Sequence, residues 1–175
     1  MKKNLISLAA ATLLLSACGT ENLRSFQTDY FQIDINPKGY IVGMWDRTKE
    51  NPNFSPTDQP SPLLALYDEE VRRYYYPQKA SYSNGKYRLT YENGSVATIS
   101  LEAKNKYIKL KLESLEPRNG IDDVQWGNYY TSITNILGEI IGAARDTSAT
   151  VNDAIGVLAL DDNTIGGESR YTSET

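Results

Sequence analysis

The sequence predicts an all-β domain built as an antiparallel two-sheet sandwich behind an export signal. Three observations carry this. Apolar residues recur with a period of two rather than 3.6. Turn dipeptides punctuate the chain at short intervals. After the amino-terminal leader, only residues 133–141 show a helical period, and the predicted strand reading competes with a short helix there. Thirteen tyrosines against three phenylalanines fit the same class, because tyrosine gives a strand one apolar body and one polar tip.

The elements follow in order. Phe31, Ile33 and Ile35 alternate with Gln32, Asp34 and Asn36. Pro37-Lys38-Gly39 makes a turn, and residues 40–45 return as a second strand. Residues 46–62 hold four prolines, which cannot serve a ladder, and are predicted as a long loop. Residues 63–67 and 72–76 read as further strands. Asn84-Gly85 and Asn93-Gly94 mark tight turns, the second predicted with positive φ at both residues. Around them Tyr87, Leu89 and Tyr91, then Ala97, Ile99 and Leu101, then Ile108, Leu110 and Leu112 alternate with polar partners. These three strands form a meander with one face on a core. Residues 121–138 are irregular. Residues 140–144 and 154–160 are expected to pair across a polar loop, with glycines 138, 142 and 156 marking bulges or close approaches.

The amino terminus carries the clearest signal. Met1-Lys2-Lys3-Asn4 is positive, and Leu5 to Leu15 is an apolar run of about eleven residues, too short to span a bilayer. Leu15-Ser16-Ala17-Cys18 then places small residues before the one cysteine of the chain, and resembles a bacterial lipobox. Residues 1–17 are therefore expected to be a signal peptide and Cys18 the lipidated residue. Two or three acyl chains on Cys18 hold a bilayer where one holds only weakly. Residues 18–28 are expected as a lipidated tether, 29–167 as the β-sandwich, and 168–175 as a tail or truncated linker. Gly19 in place of an aspartate favours an outer-membrane destination.

Composition excludes much chemistry. The net charge is −4 and histidine is absent. No basic stripe is present to neutralise phosphates, so no nucleic-acid partner is expected. Without histidine, Ser-His-Asp catalysis and histidine-bound zinc are excluded within this chain. The single cysteine, assigned to lipid, leaves no thiolate metal site or disulfide. No metal, no cofactor and no catalytic residue is assigned. The carboxylates Asp122, Asp123, Glu139, Asp146, Asp161 and Asp162 are not paired by their spacing, and adjacent aspartates on a strand face opposite ways. Asp161-Asp162-Asn163 reads as a turn rather than a calcium loop.

The candidate ligand surface is Trp126-Gly127-Asn128-Tyr129-Tyr130, with Gln125 and Asp123 beside it. A sugar ring stacks its C–H face on an aromatic plane, while its hydroxyls need paired donors and acceptors. The candidate carbohydrate-binding residues are thus Trp126, Asn128, Tyr129, Tyr130 and Asp123. The competing reading is that Trp126 plugs the end of the core and the tyrosines cover it. Arg72, Arg73, Tyr74, Tyr75 and Tyr76 form a second cluster, with Tyr74 and Tyr76 on one face and Arg73 and Tyr75 on the other. It reads either as a platform for an acidic glycan or as a solvent-facing edge with arginine stacked on tyrosine.

Residues 124–133, 138–146, 154–160 and 164–167 together resemble the amino-terminal β-sandwich of large Bacteroidetes lipoproteins associated with polysaccharide breakdown. The similarity runs from about Phe31 to Gly167. That sandwich is similar to the galactose-mutarotase-like domain that precedes a catalytic domain in many glycosidases. The resemblance implies a non-catalytic module beside a downstream catalytic domain, which these 175 residues do not include. The alternative is a standalone carbohydrate-binding surface lipoprotein.

Overall fold

The computed structural model describes residues 22–50, 53–55, 58–132, 136–137, 142–145 and 154–164. Among them there is no helix, and every strand pairing is antiparallel. Cys18 and the leader lie outside the described residues, as do Glu139 and Asp146.

The amino-terminal sheet contains β1 (Arg24–Gln27), β2 (Phe31–Ile35), β3 (Tyr40–Asp46) and β4 (Ser61–Pro62) in that order. The β2–β3 hairpin is the one that the alternation of residues 31–45 predicts. Residues 24–27, expected within a polar tether reaching residue 28, instead form β1. Phe26 supplies the reason, because it packs against the core and against Tyr82 at 5.3 Å between ring centroids. One apolar residue among polar neighbours gave no periodic signal.

Next come β5 (Ala65–Asp68), β6 (Arg73–Tyr75), β7 (Pro77–Ser83), β8 (Lys86–Tyr91), β9 (Val96–Ala103) and β10 (Ile108–Glu116). The last four form the second sheet in the order β10-β9-β8-β7. Strand β7 lies outside the predicted elements: its Pro77 start and its Ser and Lys content suit an edge strand, where a missing N–H costs no ladder bond. Asn84 and Gly85 both have positive φ, 51° and 76°, as a two-residue turn requires. The second turn corrects the expectation. Only Gly94 is left-handed, at φ 85°. Tyr91 N–H donates to Ser95 O, and the Asn93 side chain accepts from Ser95 N–H. The loop therefore has three residues, and such loops need just one left-handed position.

Three short strands follow: β11 (Asp123–Gln125), then β12 (Ile136–Leu137), β13 (Gly142–Arg145) and β14 (Ala154–Val157). Strand β11 joins β5 and β6 in a sheet ordered β11-β5-β6, and the last three form a hairpin sheet. Residues 136–137 are extended, against the helical alternative for 133–141; the rest of β12's surroundings fall outside the described residues.

One core joins the sheets. Ile33, Ile35, Ile41 and Met44 come from the first sheet, Leu63, Leu64 and Leu66 from the β4–β5 run, and Tyr87, Leu89, Tyr91, Ala97, Ile99 and Leu101 from the meander. Leu89, Ile99, Leu64 and Leu66 are wholly buried. Each such side chain contributes roughly 1.5–3 kcal/mol relative to exposure. Gly39, at φ 89°, lies against this core; a Cβ there would stand 2.8 Å from Leu89 Cδ2.

Candidate functional site

The connection out of β10 sets up the surface of interest. Ser95 Oγ donates to Pro117 O and Asn119 Nδ2 donates to Asn93 O, which ties the connector to the second hairpin. Asn119 and Gly120 are both left-handed, at 48° and 80°, and turn the chain toward β5. Asp122 then accepts from Glu69 N–H through Oδ2, and its own N–H donates to Tyr67 O. Asp122 is thus occupied in holding the 69–72 loop, while Asp123 begins β11 on the outer face. The two aspartates serve different faces, as strand alternation requires.

Register defines what stands beside Asp123. Strand β11 pairs Asp123 with Tyr67, Val124 with Leu66 and Gln125 with Ala65. Strand β6 pairs Tyr74 with Tyr67 and Tyr75 with Leu66. Directly opposed residues of antiparallel strands project from the same face, with Cβ atoms about 5 Å apart. The inner row, Val124, Leu66 and Tyr75, packs on the core. The outer row is therefore Asp123, Tyr67 and Tyr74. The rings of Tyr67 and Tyr74 are 4.6 Å apart, and Tyr74 stacks toward Tyr76 at 6.3 Å and 20°. Tyr74 and Tyr76 are 38% and 41% exposed, so part of each ring reaches the surface. Gln125 follows Asp123 on the same face and donates from Nε2 to Asn128 Oδ1 at 3.4 Å. The result is a partly exposed tyrosine row ending in a carboxylate and two amides.

The sequence-derived candidates divide on this frame. Asn128 and Asp123 are exposed beside the tyrosine row. Trp126 and Tyr129 are half-buried and pack against the core. Desolvation pushes the Tyr129 phenol above its ordinary range. Gly127 makes this possible: it is buried, at φ 47°, and a Cβ would stand 2.4 Å from the Tyr129 ring. Tyr130 is 41% exposed, and its N–H donates to Ser61 Oγ and to Asn128 O, which pins the loop along β4. In the second cluster, Arg73 turns away from Tyr74 and Tyr76. It pairs with Glu92 and lies over Tyr75, 4.9 Å from the ring centroid. Tyr74 and Tyr76 thus lie on the face opposite Arg73.

Tyr67 is the site residue that sequence reading does not single out. Its place depends on register between strands more than fifty residues apart, and only that register reveals its pairing with Asp123. Among the described residues, no group of three acidic, cysteine or histidine side chains is placed to hold a metal ion. Asp161 accepts from Asn163 N–H and from Thr164 Oγ1, the hydrogen bonding of a turn. No helix among the described residues is long and apolar enough to cross a membrane. Comparison with known protein families, curated proteins and solved structures gives no match.

Proposed function

We propose that this chain is a lipid-anchored, non-catalytic β-domain that binds glycan through the outer face of the β11-β5-β6 sheet, as an amino-terminal module of a glycan-degrading protein at the outer membrane. The observation that carries the reading is the outer-face row Tyr74–Tyr67–Asp123, continued by Tyr76, Gln125 and Asn128. Tyrosine planes suit the C–H faces of pyranose rings. The Asp123 carboxylate accepts from hydroxyls, and the two amides both donate and accept. Asn128, Asp123 and Tyr130 take polar contacts in this reading, while Trp126 and Tyr129 hold the loop in shape from beneath. The polysaccharide link of the lipoproteins that the sequence resembles points the same way.

Anchoring and binding are tested separately. Metabolic labelling with a fatty acid is expected to mark the chain in its bacterial host, and Cys18→Ser to abolish the label. Retained label in Cys18→Ser contradicts the anchor. For binding, the full chain produced with its own leader is screened on a glycan array beside Tyr74→Ala and Tyr76→Ala. Binding by the wild type that weakens in both variants supports the reading, and a wild type that binds no glycan defeats it.

A further inference from the structure

The two tryptophans of the chain are used differently. Trp126 packs against the core, whereas Trp45 is half-buried and is not among the side chains packed on it. Trp45 lies on the opposite, outer face of the amino-terminal sheet, where register builds two rows. One is Gln27, Gln32 and Trp45; the other is Ser25, Asp34 and Gly43. The indole folds back along β3 over Gly43, where a Cβ would stand 2.5 Å from Nε1. Any residue but glycine at 43 would drive the ring off the sheet.

A buried carboxylate fixes the ring. Asp34 is 7% exposed, although it belongs to the outer face. Its Oδ2 accepts the indole N–H at 2.5 Å, and its Oδ1 accepts from Ser25 Oγ at 2.6 Å and Gln32 Nε2 at 2.8 Å. Gln32 Oε1 accepts in turn from Gln27 Nε2 at 2.7 Å. Burying an acceptor of this kind is costly unless it is fully bonded. Here three donors satisfy it, two of them from the residues that rim the ring. A network like this specifies one orientation of its members. A tryptophan that only filled space would need no such clamp, and a glycine beneath it would be a liability in a strand. Rigid aromatic area with the polar edge already satisfied, bordered by amides and a hydroxyl, is the composition of a stacking subsite.

We infer that the outer face of the β1–β3 sheet is a second glycan-binding subsite, in which Trp45 stacks a neutral pyranose and Gln27, Gln32 and Ser25 meet its hydroxyls. Asp34 is a positioning residue that holds the indole. This rests on the glycan-binding reading above, but uses no residue of the tyrosine row.

The test titrates the full chain with a panel of neutral hexose and pentose oligosaccharides, and the emission of Trp45 is taken as the difference between the parent chain and Trp45→Phe. Trp45 emission is expected to shift and quench on binding. Trp45→Ala is expected to lose about tenfold in affinity, and Trp45→Phe to lose less, because a smaller ring still stacks. Circular dichroism checks that both variants keep their strands. If oligosaccharides bind and Tyr74→Ala weakens them while Trp45 emission and Trp45→Ala affinity stay unchanged, the second subsite is overturned and the first stands. If no oligosaccharide binds the parent chain, both are overturned.

Discussion

Two buried tyrosines on one strand show how a single atom decides stability. Tyr87 and Tyr91 are each 3% exposed and both line the core. Tyr91 Oη donates to Leu64 O at 3.0 Å, and that carbonyl belongs to a fully buried residue. Tyr87 Oη has no hydrogen-bond partner among the described residues. A buried acceptor left without its donor costs about 1–3 kcal/mol, while removing an unpaired hydroxyl costs nothing of that kind. Tyr91→Phe is therefore expected to lower the unfolding free energy from urea titration by that amount, and Tyr87→Phe to leave it unchanged or raise it. Equal losses in the two would contradict the hydrogen-bond assignment. Nothing in the sequence separates these residues, because both occupy the inward phase of the same alternation.

At the scale of elements, legibility followed periodicity. The β2–β3 hairpin and the β8–β9–β10 meander declare themselves through alternating apolar positions, since each has one face on the core. Strand β7 does not, because its edge position leaves it largely polar; strand β1 has only Phe26 to mark it. The candidate site was half legible for the same reason. Residues 123–130 stand together in sequence, but the union of Asp123 with Tyr67 and Tyr74 depends on pairing between β11, β5 and β6. The turn at residues 92–94 gives a prediction at this scale. Gly94 sits at φ 85°, and Asn93 contributes an acceptor to Ser95 N–H. Placing a Cβ in the left-handed region costs about 1–2 kcal/mol. Gly94→Ala is thus expected to destabilise by that amount, and Asn93→Gly by less than about 1 kcal/mol. Thermal melts of the two variants decide the point, and an Asn93→Gly variant as stable as the parent or more so would return the turn to two left-handed residues.

Across the whole molecule, the tyrosine excess has two consequences, one for stability and one for binding. Burial raises the phenol pKa of Tyr40, Tyr87, Tyr91 and Tyr129 above the ordinary value of about 10. Unfolded chains then release these protons first, so the unfolded state binds fewer protons above that pH and stability falls as pH rises. Stability from these groups is full below about pH 10 and is lost as the pH climbs through the raised folded values. Alkaline titration followed by tyrosinate absorbance is expected to show a late, cooperative phase that coincides with loss of β-sheet circular dichroism; smooth titration of all tyrosines near pH 10 would contradict it. The remaining tyrosines include those that face outward on the β11-β5-β6 sheet, the proposed glycan surface. Calorimetric titration of the full chain and of the double variant Tyr74→Ala/Tyr76→Ala with the glycan bound best on the array tests that surface. The two side chains are 38% and 41% exposed and lie outside the core, so the variant is expected to stay folded at a cost of about 1–3 kcal/mol and to lose at least about tenfold in affinity. An unchanged affinity in a folded double variant would rule out the tyrosine row as the glycan surface.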